Sequence, residues 1–259
     1  MAETIAVLSL KGGTGKTTTV RTLSDVLRRV GLDVLAIDLD PQGNLSDYFD
    51  VPPDASPTIA DVLAGDAKAK AAVHDGIVPA SPILAEVERS MSGKMGRELV
   101  LRKALKDARK QHDVVLIDCP PALGLLTING LVAADWALIS SEAQYFALQG
   151  VQGALDVIEQ AKEFYNPDLE WLGVVMNIAD MRTVHSREAY SQLQEHYGDK
   201  VFDTVIRSSI AYAESAERGL SILDHRPDLG PDYLALADEI LARVGLRDAR
   251  RALKPLLVS

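Results

Sequence analysis

The chain has 259 residues, 47% of them hydrophobic, which is enough for one large α/β domain or two small ones with a sizeable core. A net charge of −10 argues against a surface that clamps nucleic acid all over, and no apolar stretch approaches the roughly 18 residues of a membrane span. The only cysteine, Cys119, rules out an internal disulfide and fits a reducing cytoplasm.

The opening MAETIAVLSLKGG lacks the basic start and cleavage site of a secretory signal, so its apolar run is expected to be a first strand. Strands are predicted in chain order at 5–10, 34–38, 114–118, 137–140, 172–177 and 204–206. They are apolar without strict alternation, as for strands buried on both faces of a parallel sheet. Helices are predicted between them at 17–30, 96–110, 125–134, 149–164, 186–197 and 232–244, with Gly31 as a C-cap. Residues 51–92 differ: five prolines punctuate them, and one short helix at 58–64, capped by Thr58 with Asp61, stands out. The expectation is a single α/β domain over residues 1–259, a doubly wound, mostly parallel sheet flanked by helices, with an irregular elaboration at about 51–92.

The first strand runs into Lys11-Gly12-Gly13-Thr14-Gly15-Lys16-Thr17-Thr18, and a helix follows. Glycines let backbone N–H groups turn inward around an anion, and the positive end of the helix adds to that pull. Lys16 would reach the terminal phosphates of a nucleotide, and the Thr17 hydroxyl would complete a Mg²⁺ shell. The common spacing G-x-x-x-x-G-K-[ST] would need glycine at Leu10; instead a second lysine, Lys11, opens the loop. Asp118 ends an apolar strand where a carboxylate holds Mg²⁺, often through water, and a second strand ends in Asp38 and Asp40.

These residues resemble the deviant Walker A ATPases and, within them, the ParA/Soj chromosome- and plasmid-partition proteins. The resemblance covers nearly the whole chain: the 11–19 loop, Asp38-Leu39-Asp40-Pro41-Gln42-Gly43-Asn44, the 118–127 segment beginning Asp118-Cys119-Pro120-Pro121, and the segments 145–150, 180–183 and 201–206. It implies ATP and Mg²⁺ as cofactors, weak ATP hydrolysis, a homodimer formed on ATP binding and stimulation by a ParB-like partner. By that likeness Lys11 crosses to the partner subunit's nucleotide, Asp40 positions or activates the attacking water, Asp118 holds the Mg²⁺ shell, and Asn177 contacts adenine. Two departures stand out: Thr14 replaces a usual valine, and Ser208 and Ala211 replace two usual arginines, with Arg207 available to compensate for one.

Nucleotide-switched, sequence-independent DNA binding needs cations on one face. Residues 1–180 hold 16 Lys and Arg against 25 Asp and Glu, whereas 181–259 hold 11 against 12, so a basic face is expected in the last third. The candidates are Arg182, Arg187, Arg207, Arg218 and the tail set Arg247, Arg250, Arg251 and Lys254. On a helix at about 246–254 the four tail cations share one side, opposite Leu246, Ala249 and Leu253. That tail is read as a helix docked on the core, a DNA-binding extension or a membrane-surface helix of the MinD kind, the last opposed by Pro255. Cytoplasmic, nucleoid-associated action is the expectation, and a MinD-like spatial regulator is the alternative. Trp136, Trp171 and Cys119 read as packing residues, the five histidines lack metal-ligand spacing, and one cysteine cannot build an iron–sulfur site.

Overall fold

A computed structural model describes residues 1–144 and 147–258; Tyr145 and Phe146, which open the 145–150 motif, lie outside the described residues. Seven strands form one sheet: β1 (Glu3–Leu8), β2 (Val34–Asp38), β3 (Ile77–Val78), β4 (Val114–Asp118), β5 (Trp136–Glu142), β6 (Glu170–Ala179) and β7 (Val201–Arg207). Their order is β3-β2-β4-β1-β5-β6-β7, and every pairing is parallel. β2 and β4 are buried at every position, the reason their sequences run apolar instead of alternating.

Helices cover both faces. On one face the core takes in α3 (Ile59–Ala64), α4 (Leu84–Met91), α5 (Val100–Ala104), α6 (Leu125–Ala133), α7 (Ala147–Phe164) and α8 (Val184–Tyr197). On the other it takes in α1 (Lys16–Arg29), α2 (Asn44–Tyr48), α9 (Ala211–Glu217), α10 (Ile222–His225), α11 (Gly230–Arg243) and α12 (Arg247–Val258). The order reverses at β1, whose neighbours are β4 and β5, so a crevice opens beyond its C-terminal end.

Three differences from the predicted elements have local causes. β1 stops at Leu8 because the Ser9 hydroxyl turns to the Lys11 carbonyl (2.7 Å). The helix predicted at 96–110 is broken into α5 and two 3₁₀ turns, Arg97–Leu99 and Ala108–Lys110. Its residues Leu101, Leu105 and Ala108 are nonetheless all buried, so the apolar spacing marked the face correctly and the continuity wrongly. In residues 51–92 the Thr58–Asp61 capping box starts α3, and the two-residue β3, too short to show a period, extends the sheet edge beside β2.

Candidate functional site

The loop after β1 is built around one serine that the sequence reading passed over. Ser9 Oγ accepts from Thr14 Oγ1 (2.9 Å) and from Lys16 Nζ (3.0 Å) while donating to the Lys11 carbonyl. A polar residue ending an apolar strand was the available signal. Ser140 on β5 ties the loop from the other side, donating to the Thr14 carbonyl at 2.6 Å. Gly13 and Gly15 have φ of 78° and 83°, left-handed values that favour glycine. At Gly15 space adds to conformation, because a Cβ there would sit 3.2 Å from Asn177 Cγ.

Lys16 is 6% exposed at the first position of α1, and burial pulls its pKa below the usual lysine value against the opposing pull of Asp118. Thr17 Oγ1 donates to Asp118 Oδ2 at 2.6 Å. Burial pushes the Asp118 carboxyl up to about 8, with the neighbouring Asp38 charge adding to the shift. Asp38 is pushed up to about 6 by burial, although it accepts from Ser46 N and Oγ (2.9 and 2.7 Å) and from Asp40 N (3.1 Å). Asp38 is therefore the anchor that fixes the Asp40 turn and the start of α2. The Asp40 carboxylate in turn accepts from Gln42 N at 3.0 Å.

The buried Oδ1 of Asp118 has no protein partner. Among the described residues no three His, Cys, Asp or Glu side chains gather as a metal cluster. A hydroxyl beside an orphaned carboxylate oxygen nevertheless fits a hard cation that brings further oxygens on a phosphate ligand. The loop, Thr17, Thr18 and Asp40 line a cleft of about 660 Å³ that continues between α2 and α9, past Tyr48 and Tyr212. Asn177 borders this cleft but is 1% exposed, donating to Ser140 Oγ (2.7 Å) and Thr19 Oγ1 (3.3 Å). Its neighbour Ile178, at φ 54°, is the exposed one of the two.

The family described as "AAA domain" (AAA_31) matches residues 2–171. The chromosome-partitioning ATPase Soj of Thermus thermophilus is 38% identical over 246 residues, covering 93% of this chain and 96% of Soj. The chain belongs to the ParA/Soj family of P-loop ATPases. A Mycobacterium smegmatis structure described as cobyrinic acid a,c-diamide synthase with bound ADP and magnesium superposes with a TM-score of 0.77 at 36% identity, covering 84% of this chain and 91% of that one. Apo McdA from Cyanothece gives a TM-score of 0.83 at 26% identity over 93% of this chain and all of that one (100%).

For a ParA-family chain the expected basic face is dispersed. Arg182 lies in the turn between β6 and α8 and Arg187 in the first turns of α8, in the layer opposite α9 and α12. Arg182 grips Asp180 with two contacts of 2.8 Å, and Arg187 donates to the Met181 and Arg182 carbonyls. Arg207, the expected substitute for a missing arginine, is clamped by Asp232 (2.8 Å) and the Asp228 carbonyl. Arg250 pairs with Asp238 (2.8 Å) and Arg251 with Asp248 (3.2 Å). Arg218, Arg247 and Lys254 are exposed and make no ion pair among the described residues. α12 docks through Ala249 and Leu253, both buried, and runs on through Pro255 to Val258 instead of stopping there.

Proposed function

We propose that this chain is a nucleotide-controlled switch that binds ATP with Mg²⁺, pairs with a second copy, holds non-specific DNA in that state and hydrolyses ATP slowly until a ParB-like partner accelerates it. The observation that carries the reading is the buried Lys16 and the Thr17–Asp118 contact at the mouth of a glycine-turned loop. Bound Mg²⁺ would neutralise phosphate charge, with Thr17, Asp118 and Asp40 as the residues available to hold it or its water. Gly12, Gly13, Thr14, Gly15 and Thr18 would cradle phosphate oxygens with backbone N–H groups, and Lys16 would pair with the terminal phosphates. Lys11 is exposed at the rim, where it can reach a nucleotide held by a second subunit. Asp40 would orient water, steadied through Asp38, while Asn177, anchored to Ser140 and Thr19 with its Oδ1 left without a protein partner, would contact the adenine.

DNA contact falls first to the exposed cations without an ion pair among the described residues, Arg218, Arg247 and Lys254, with cytoplasmic action on the nucleoid as the consequence. No described helix is long and apolar enough to cross a membrane. The apolar side of α12 packs on the core, which weighs against the MinD-like alternative. The deciding experiment is binding to non-specific duplex DNA with ATP, with ADP and without nucleotide across a salt series, with Asp40→Ala beside wild type. Tight, salt-sensitive binding with ATP alone is expected, strengthened in the variant; no binding by the variant with ATP would remove DNA from the proposal.

A further inference from the structure

The densest basic stretch lies outside the last third. Residues 94–110 hold seven Lys and Arg against two acids, in a chain whose net charge is −10. Within it Arg97 pairs with Glu98, Arg109 with Asp135 and Lys110 with Asp107. Lys103 and Lys106 are exposed and make no ion pair among the described residues. Lys68 is exposed on the loop that follows α3, which packs against α5, and the Lys110 hydrogen bond, then Lys106 and Lys68, hold the Asp107 carboxyl below its usual value.

The cations adjoin exposed aromatic surface. Arg102 Nη1 reaches the Tyr165 carbonyl at 3.5 Å, joining α5 to the end of α7. There Phe164 is 67% exposed and Tyr165 37%, their rings edge to face at 6.4 Å. Apolar rings of this size are favoured in a core, so the exposure of Phe164, next to the residue that Arg102 reaches, is a feature to explain. The 108–110 turn leads into the start of β4, and Phe164 lies shortly before the start of β6. This patch is therefore at the N-terminal ends of the strands, away from the nucleotide cleft.

We infer that Lys68, Lys103, Lys106 and Phe164 form a second binding surface, for single-stranded nucleic acid, that works without nucleotide. Lysines track a phosphate backbone, and an exposed ring offers a sequence-tolerant platform on which an unpaired base stacks. One subunit contains the whole patch, and none of its residues touches the loop or the cleft. The inference stands apart from the switch proposed above, whose DNA contact is with duplex and requires ATP.

The test is fluorescence anisotropy of labelled single-stranded DNA and RNA of about 20 nucleotides, and of a duplex, on the full chain with and without ATP. Wild type is expected to bind single strands equally well in both conditions. Lys103→Ala with Lys106→Ala should weaken binding about tenfold and lower the log–log salt slope by about 1.4, twice the single-strand value per phosphate. Phe164→Ala should weaken binding about fivefold or more with the slope unchanged. ATP turnover should be the same in every variant. Absence of nucleotide-free binding overturns the inference, as does binding that survives all three substitutions. Displacement by polyglutamate with Phe164→Ala silent would reassign the patch to an acidic protein and also overturn it. Duplex binding that needs ATP and is lost in Arg218→Ala, with no binding of single strands in the absence of ATP, would support the switch while sinking this surface.

Discussion

Asp118 shows how a single residue can be costly to the fold and necessary to the site. Its carboxyl is fully enclosed, next to Asp38, and is pushed up to about 8. A raised value means that the folded chain holds the proton more tightly than the unfolded chain, which releases it near the ordinary carboxylate value of about 4. The resulting stabilisation is complete below that value and is lost as pH rises through about 8. Ligand-free wild type should therefore lose stability relative to Asp118→Asn between pH 5 and 8, read as the difference in their thermal midpoints. A difference that stays constant across this range would mean that Asp118 is ionised throughout. Ser9, Ser140 and Asp38 belong to the same scale. Each organises the loop through side-chain hydrogen bonds that cross between elements, so no local spacing announces them. The sequence motif singled out Lys16 and Thr17, whose role follows from their place at a helix start, but it could not single out their supports.

At the scale of elements, α12 separates packing from charge. Leu253 is 0% exposed within the core beneath α11, whereas Arg250 pairs with Asp238 at a partly exposed edge. Truncating the leucine should cost about 2–5 kcal/mol, because a cavity remains where a buried side chain was. Truncating the arginine should cost far less than that, as solvent screens the pair. Urea unfolding of Leu253→Ala and Arg250→Ala checks the ranking, and equal losses would show that the ion pair fastens the helix. The tail's amphipathic spacing was legible, since Ala249 and Leu253 fall on one side of any helix drawn through them. Its docking partner was not, because the partner lies on another helix. Likewise the 96–110 pattern identified an inward face while missing the breaks around Val100–Ala104, a segment wedged against α3 and α6, which lie elsewhere in the chain.

The cleft is a property of the whole molecule. It joins the β1 loop, the Asp40 turn, α2, the Asn177 end of β6 and α9, elements from nearly every part of the chain. A ligand bridging them is expected to stabilise the fold as a unit. At about 100 times Kd, Mg²⁺ with ATP should add about 2.7 kcal/mol, a rise in Tm of roughly 5–10 °C. EDTA added to the same sample should remove most of that rise, if the orphaned Asp118 oxygen and Thr17 serve a cation. A rise that EDTA leaves intact would assign the binding energy to Lys16 and the loop N–H groups alone.

What the sequence determined by itself was the family, the alternation of buried strands and helices, and the phosphate loop, because these rest on contiguous residues and local periodicity. Tertiary structure decided the rest. It showed which of the cations expected on a basic face in the last third pair with acids on other elements, such as Arg207 with Asp232 and Arg250 with Asp238. It also brought Arg102 of the 94–110 run to the Tyr165 carbonyl at the end of α7. The physical reason is the same in both cases: a charge acts on what lies within a few ångströms of it, and only the folded chain sets those distances.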